Sequence, residues 1–232
     1  MDSRMPSSIA SHTPDALAQQ NRVLRNTYTL LALSLIPTIV GTMVASMFNF
    51  SAIFMSHPIA APLGFLALAI GMMFVVSALR NSAWGIVALF GFTFIFGFML
   101  APILTYAASL SNGGRLVALA AGMTATIFFV LAGIATTTKR DFSFMGKFLF
   151  VGLITLILAI VANLFLKLPA LSLAISCIAV LIFSAYILYD VNRIVRGGET
   201  NYIMATMALF LDVVNLFISL LHILLAFAGQ RE

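Results

Sequence analysis

Charge is scarce in this sequence. Asp, Glu, Lys and Arg together make up 8% of its 232 residues, where a soluble domain carries about a quarter. That shortage excludes an ordinary water-facing globular surface, and with 62% hydrophobic residues and a mean hydropathy of +1.12 it places the chain in lipid. Cysteine is nearly missing as well. Cys177 stands alone inside an apolar run, which excludes an intrachain disulfide and a thiol metal site. No HExxH pair is present to hold zinc, and no serine sits in a nucleophile-like glycine motif with a placed histidine. The "GG" at 197–198 is far too little for a phosphate loop, and residues 203–228 contain no lysine to form a retinal Schiff base. The expectation is a protein that is not an enzyme and carries no cofactor.

What is abundant is long apolar sequence. About 20 apolar residues cross a hydrocarbon core of about 30 Å, and by that measure seven spans are expected, near 27–48, 59–79, 84–107, 116–136, 144–166, 168–190 and 203–228. Backbone polar groups in lipid must bond internally, and runs this long without alternation mean helices rather than barrel strands. The fold class is therefore all-α, a seven-helix membrane domain over 27–229. Residues 1–26 are polar at their start, with Pro and Ser and no apolar core, and are expected to form a flexible cytoplasmic tail.

The net charge of +5 would suit nucleic acid, but the basic residues lie at the ends of apolar runs, as topology signals do, so no nucleic-acid partner is expected. One side collects Arg4, Arg22, Arg25, Arg80, Lys139, Arg140, Lys147, Arg193 and Arg196, and the other has Arg115, Lys167 and Arg231. This bias predicts a cytoplasmic N-terminus and, after seven spans, a C-terminus outside.

Inside the last span, "LFLDVVNLF" at 209–217 carries a carboxylate, Asp212. At a bilayer centre an Asp costs about 2.5–3.5 kcal/mol on the translocon scale, so it needs a partner or a task. Asp212, Asn215, Ser219 and His222 share one helix face, an arc of about 80° and a stripe of about 15 Å. Interhelical hydrogen bonding is the plainer account of Asn215 and Ser219, and His222 near the outer end reads as an interfacial histidine. A second carboxylate, Asp190, precedes Gly197, the expected residue just past the sixth span. Thr200 or Asn201 can then cap the seventh. Counted from that turn, Asp190 and Asp212 lie at depths of about 9 and 13 Å on consecutive antiparallel helices. Facing one another they cannot both ionise cheaply, so the pair is expected to sense protons and, when ionised, to attract a cation. Pairing of Asp190 with Arg193 or Arg196 at the helix end is the alternative.

The stretch "YILYDVNRIVRGGETNYIMATMALFLDVVNLFISLL" resembles the last two spans of the Bax inhibitor-1 (TMBIM) family. "GFTFIFGFMLAPIL" at 91–104 is similar to the family's third span, "KRDFSFMG" at 139–146 to its fourth loop, and "RGGETNYIMAT" to a bacterial, YccA-like branch. The resemblance covers nearly the whole chain and implies six helices around a central seventh, in a bacterial inner membrane. It also implies a calcium leak in which Asp190 and Asp212 are the proton-sensing, weakly calcium-binding pair and Arg80 is their latch. Some leak-competent relatives carry an acidic residue in the second span, and residues 59–79 have none. The YccA-like branch implies a different role, restraint of the membrane AAA protease FtsH.

Overall fold

The computed structural model describes residues 14–228, with side chains from residue 18 onward. Within them the backbone is helical with no strand. The elements are α1 (Pro14–Met47), α2 (Ser51–Ser56), α3 (Ala60–Leu79), α4 (Trp84–Ala108), α5 (Gly113–Thr137), α6 (Met145–Leu166), α7 (Pro169–Val195) and α8 (Tyr202–Ala228). All but α2 are long and apolar enough to cross a membrane, which is the expected seven-span, all-α fold.

The expected tail needs correcting. Helix α1 begins at Pro14, so residues 14–26 continue the first span, while residues 1–13 lie outside the described residues. The physical reason is legible in "PDALAQQNRVLRN". Proline suits a first helical turn, and Ala, Leu, Gln and Arg propagate a helix already nucleated by the span that follows. Val23 is buried against the bundle and anchors the extension. The second departure is α2, a six-residue helix between the first two spans. Phe50, which immediately precedes α2, stacks edge-to-face on Phe65 of α3 at 5.2 Å and on Phe98 of α4 at 5.1 Å, tying the linker down.

Helix α8 is the axis. Half of its span (50%) is buried, against 11% for α3 and for α6, and it packs on α7, α5, α1, α4 and α3. The fifth span, α6, is held mainly by α7. The most extensive packing joins α1 to α4, which are not neighbours in sequence. Gly41 and Gly97 make that approach possible, since a Cβ at Gly41 would collide with the Phe94 carbonyl and one at Gly97 with the Thr38 carbonyl. Thr42 Oγ1 also donates across the seam to the Gly97 carbonyl at 2.9 Å. The core has two layers. One, around Phe92, Leu209 and Phe210, lies toward the end where the chain enters α1, and the other, around Phe183, Leu216 and Leu221, toward the opposite end.

The alternation of the spans gathers Arg22, Arg25, Arg80, Lys139, Arg140, Lys147, Arg193 and Arg196 at one end, here the basic end, and Arg115 and Lys167 at the far end. Arg4 and Arg231 lie outside the described residues.

Candidate functional site

The turn between α7 and α8 sets the site's register. Gly197 takes φ +74°, a left-handed conformation in which a side chain is strained. Its N–H donates to the Ile194 carbonyl at 3.0 Å, and Gly198 N–H donates to the Arg193 carbonyl at 2.8 Å, so the last carbonyls of α7 are satisfied by the glycine pair. Asn201 opens α8. Its Oδ1 accepts from the backbone N–H of Ile203 at 3.0 Å and of Met204 at 3.1 Å. Its Nδ2 donates to the Arg80 carbonyl at 2.9 Å and to Asn81 Oδ1 at 3.1 Å. Two helices held in this way run antiparallel from one short turn, with Asp190 near the end of α7 and Asp212 further along α8.

The two carboxyl groups come within hydrogen-bonding reach of one another. Asp212 is buried, with 5% of its surface exposed, and its Oδ2 has no hydrogen-bond partner among the described residues. Asp190 is partly exposed. The charges acting on Asp190 besides its partner are Arg193, one turn further along α7, and Glu199 in the turn. Arg193 Nη2 reaches Glu199 Oε2 at 3.5 Å, and Glu199 Oε1 accepts from the Asn201 N–H at 2.9 Å. The site is thus one buried and one accessible carboxyl, with an ion pair beside the accessible one. No group of three or more His, Cys, Asp or Glu side chains able to hold a metal occurs among the described residues. Calcium takes six to eight oxygens, and two carboxyl groups suit brief capture of a cation more than a permanent metal site.

Arg80 stands elsewhere. It is exposed at the end of α3 and meets the site through its backbone carbonyl, while no ion pair joins its guanidinium to either carboxylate among the described residues. The rest of the stripe on α8 turns inward on its own helix. Asn215 Nδ2 donates to the Leu211 carbonyl at 2.7 Å and Ser219 Oγ to the Asn215 carbonyl at 2.7 Å, so these bonds are intrahelical and not the interhelical bonds expected of them. His222 is exposed and lines a slot of about 690 Å³ at the far end, whose walls come from α2, α3, α4, α6, α7 and α8.

Two residues near the pair, Tyr186 and Asn192, were not singled out by the sequence. Tyr186, one turn before Asp190, lies close enough for both carboxylates to act on it. Asn192 is buried and spans the gap to the α5–α6 loop. Its Nδ2 donates to the Arg140 carbonyl at 3.2 Å and the Ala135 carbonyl at 3.5 Å, while its Oδ1 accepts from Phe142 N–H at 3.2 Å. Arg196 adds a hydrogen bond to the Lys139 carbonyl. Asn201, expected from the sequence as a cap, also ties the start of α8 to Arg80 and Asn81. The available signal was the density of polar residues in "YDVNRIVRGGETN", more than an exposed helix end requires.

Comparison with known proteins bears on the whole bundle. Residues 20–229 match the family described as Bax1-I, inhibitor of apoptosis-promoting Bax1. The modulator of FtsH protease YccA from Escherichia coli is 41% identical over 220 residues, covering 93% of this chain and 94% of its own length. A membrane protein of Vibrio cholerae is 43% identical over 207 residues, 89% of this chain and 90% of its own. A Pseudomonas aeruginosa protein is 42% identical over 211 residues, 90% and 92% respectively. With seven spans, the last of them central, and a family match over nearly all of its length, the chain belongs to the Bax inhibitor-1 family of membrane proteins.

Proposed function

We propose that this protein is a proton-responsive cation leak, with calcium as the transported ion, in a bacterial inner membrane, its N-terminus cytoplasmic and its C-terminus outside. The observation that carries the reading is the meeting of Asp190 and Asp212 on consecutive helices, one of them buried in the centre of the bundle. Two like charges in contact repel, and the pair is relieved by sharing a proton or by taking a cation. Protonation therefore competes with cation capture at the same atoms. With both groups ionised, the pair holds a basic side chain as counter-charge and the path is shut. One proton weakens that hold and opens it. A second proton removes the charge that recruits the cation. Flux across pH should follow a bell whose limbs belong to the pair and not to either residue. In the arrangement described, Arg193 is the basic group acting on Asp190, and engagement of Arg80 as the latch would require its side chain to swing inward from the end of α3.

Calcium flux into proteoliposomes of the purified chain, measured from alkaline to acid pH, tests this. A rise on mild acidification followed by a fall supports it, and flux independent of pH refutes it.

A second reading rests on the E. coli relative named as a modulator of FtsH protease, 41% identical across 93% of this chain. This chain would then restrain FtsH through its cytoplasmic end and the lipid-facing surfaces of its helices, without catalysis of its own. Degradation of an FtsH substrate in membranes with and without the protein tests it, and equal rates exclude it.

A further inference from the structure

The end of the bundle opposite the carboxylate pair holds the slot lined by His222. Its walls include Pro62 of α3 and Leu164 of α6, the two least buried spans, and its back is the face of α8 at Ile218, His222 and Leu225. Pro169 opens α7 at the far end and Ser176, seven residues on, lies about 10 Å deeper, while Ile218 lies about 15 Å in from the end of α8. Half of a bilayer's hydrocarbon core is also about 15 Å. A space of 690 Å³ is in the range of small-molecule sites, and it adjoins the hydrocarbon of one leaflet. Its wall is mostly apolar, and the polar groups it has are hydroxyls and an imidazole.

Among the described residues, charge at this end has one sign. Lys167 sits on the α6–α7 turn between the lining residues Leu164 and Pro169, and Arg115 opens α5. Among the described residues no carboxylate lies at the far end, since Asp141, Asp190 and Glu199 are at the basic end and Asp212 is inside the bundle. A lengthwise apolar slot with a cationic mouth matches a molecule with a long apolar body and an anionic head.

We propose that the slot binds one acyl chain of an anionic phospholipid from the far leaflet, with the phosphate at Lys167 and the chain lying against α8. This site is separate from the carboxylate pair and does not depend on the function proposed above. Native mass spectrometry of the full chain in detergent, offered equal amounts of phosphatidylglycerol and phosphatidylcholine with matched chains, tests it. One phosphatidylglycerol should be retained in preference. Lys167→Gln should weaken that retention about fivefold, the effect of one basic group facing an anionic lipid, and leave phosphatidylcholine unchanged. Lys147→Gln, at the opposite end, should change neither. Ser172→Phe with Ala226→Phe should fill the slot and remove the retained lipid. Equal retention of the two lipids, unchanged retention in Lys167→Gln, or a second copy of the chain held in place of lipid would each overturn the proposal. Lys167 is exposed, so its variant remains decisive even if the filled one does not fold.

Discussion

Asp212 has an oxygen, Oδ2, that no protein donor meets among the described residues, and the charge acting on it is that of a second carboxyl, Asp190. Replacing it by Asn keeps the volume and removes the titration. Asp212→Asn should fold, and its calcium flux should lose the alkaline limb of the pH profile; a wild-type profile would reduce Asp212 to a structural polar residue. The counter-charge is tested beside it. If Arg193 fills that role, Arg193→Ala raises leak at alkaline pH while Arg80→Ala leaves it near wild type, and the reverse result restores Arg80 as latch. Asp141 offers a control. Its carboxyl is held below the ordinary value of 3.8 chiefly by the side-chain and backbone hydrogen bonds of Ser143. A depressed carboxyl adds stability that is present above its ordinary value and is lost only as pH falls through the lower, folded one. A response near neutral pH therefore cannot come from Asp141, and Asp141→Asn should leave it in place. Asn192 makes a different kind of contribution. Asn192→Ala leaves Phe142 N–H and two carbonyls without their partner, which should cost about 1–3 kcal/mol, read as a lower unfolding midpoint in detergent. The two aspartates were legible because a carboxylate in an apolar run is conspicuous. Asn192 was not, because an amide beside a helix end looks the same whether it faces water or clamps a loop 50 residues away.

Among the elements, the spans were legible from hydropathy alone because lipid permits few alternatives to a continuous apolar helix. Their partners were not. Sequence order suggests that α1 lies beside α3, whereas the seam is with α4, and its cause is two glycines whose missing side chains matter only once the helices meet. The short helix α2 escaped notice because its hold is aromatic packing from Phe50, a long-range contact. The seam gives a clean comparison. Gly97→Ala puts a methyl group against the Thr38 carbonyl and should destabilise by about 1–3 kcal/mol or more. Gly122→Ala, with nothing near its side-chain position, should be neutral or stabilise α5 by up to about 1 kcal/mol. Unfolding of both variants in the same detergent checks the difference, and equal midpoints would mean that the seam opens.

For the whole molecule, the test of the second functional reading lies at the N-terminus. Removing residues 1–13 should leave the bundle intact, because the helix and its buried anchor Val23 remain. Removing residues 1–26 also takes Val23 and the first turns of α1, and should lower stability. If FtsH grips this chain from its N-terminal end, the shorter deletion should already slow the protease's action on it, and an unchanged half-life would argue against that grip. The family and the seven-span architecture were legible in the sequence because they rest on composition and motif. The central place of the last span came with the family resemblance, whereas the extent of its packing on each neighbour follows from contacts that no local pattern encodes.

The α1–α4 seam also sets a schedule for biosynthesis. A ribosome adds about 5–20 residues per second, so α1 enters the membrane and waits several seconds before the residues of α4 emerge. During that interval its polar seam residues would face lipid. Each already has a resident partner one turn back on its own helix. Ser34 donates to the Leu30 carbonyl at 2.8 Å, Thr38 to Ser34 at 2.9 Å and Thr42 to Thr38 at 3.0 Å. Only Thr42 has a second acceptor, the Gly97 carbonyl, supplied when α4 arrives. These three seam hydroxyls are thus provided for before their long-range partner exists, and the nascent helix can wait in the bilayer without exposing them unpaired.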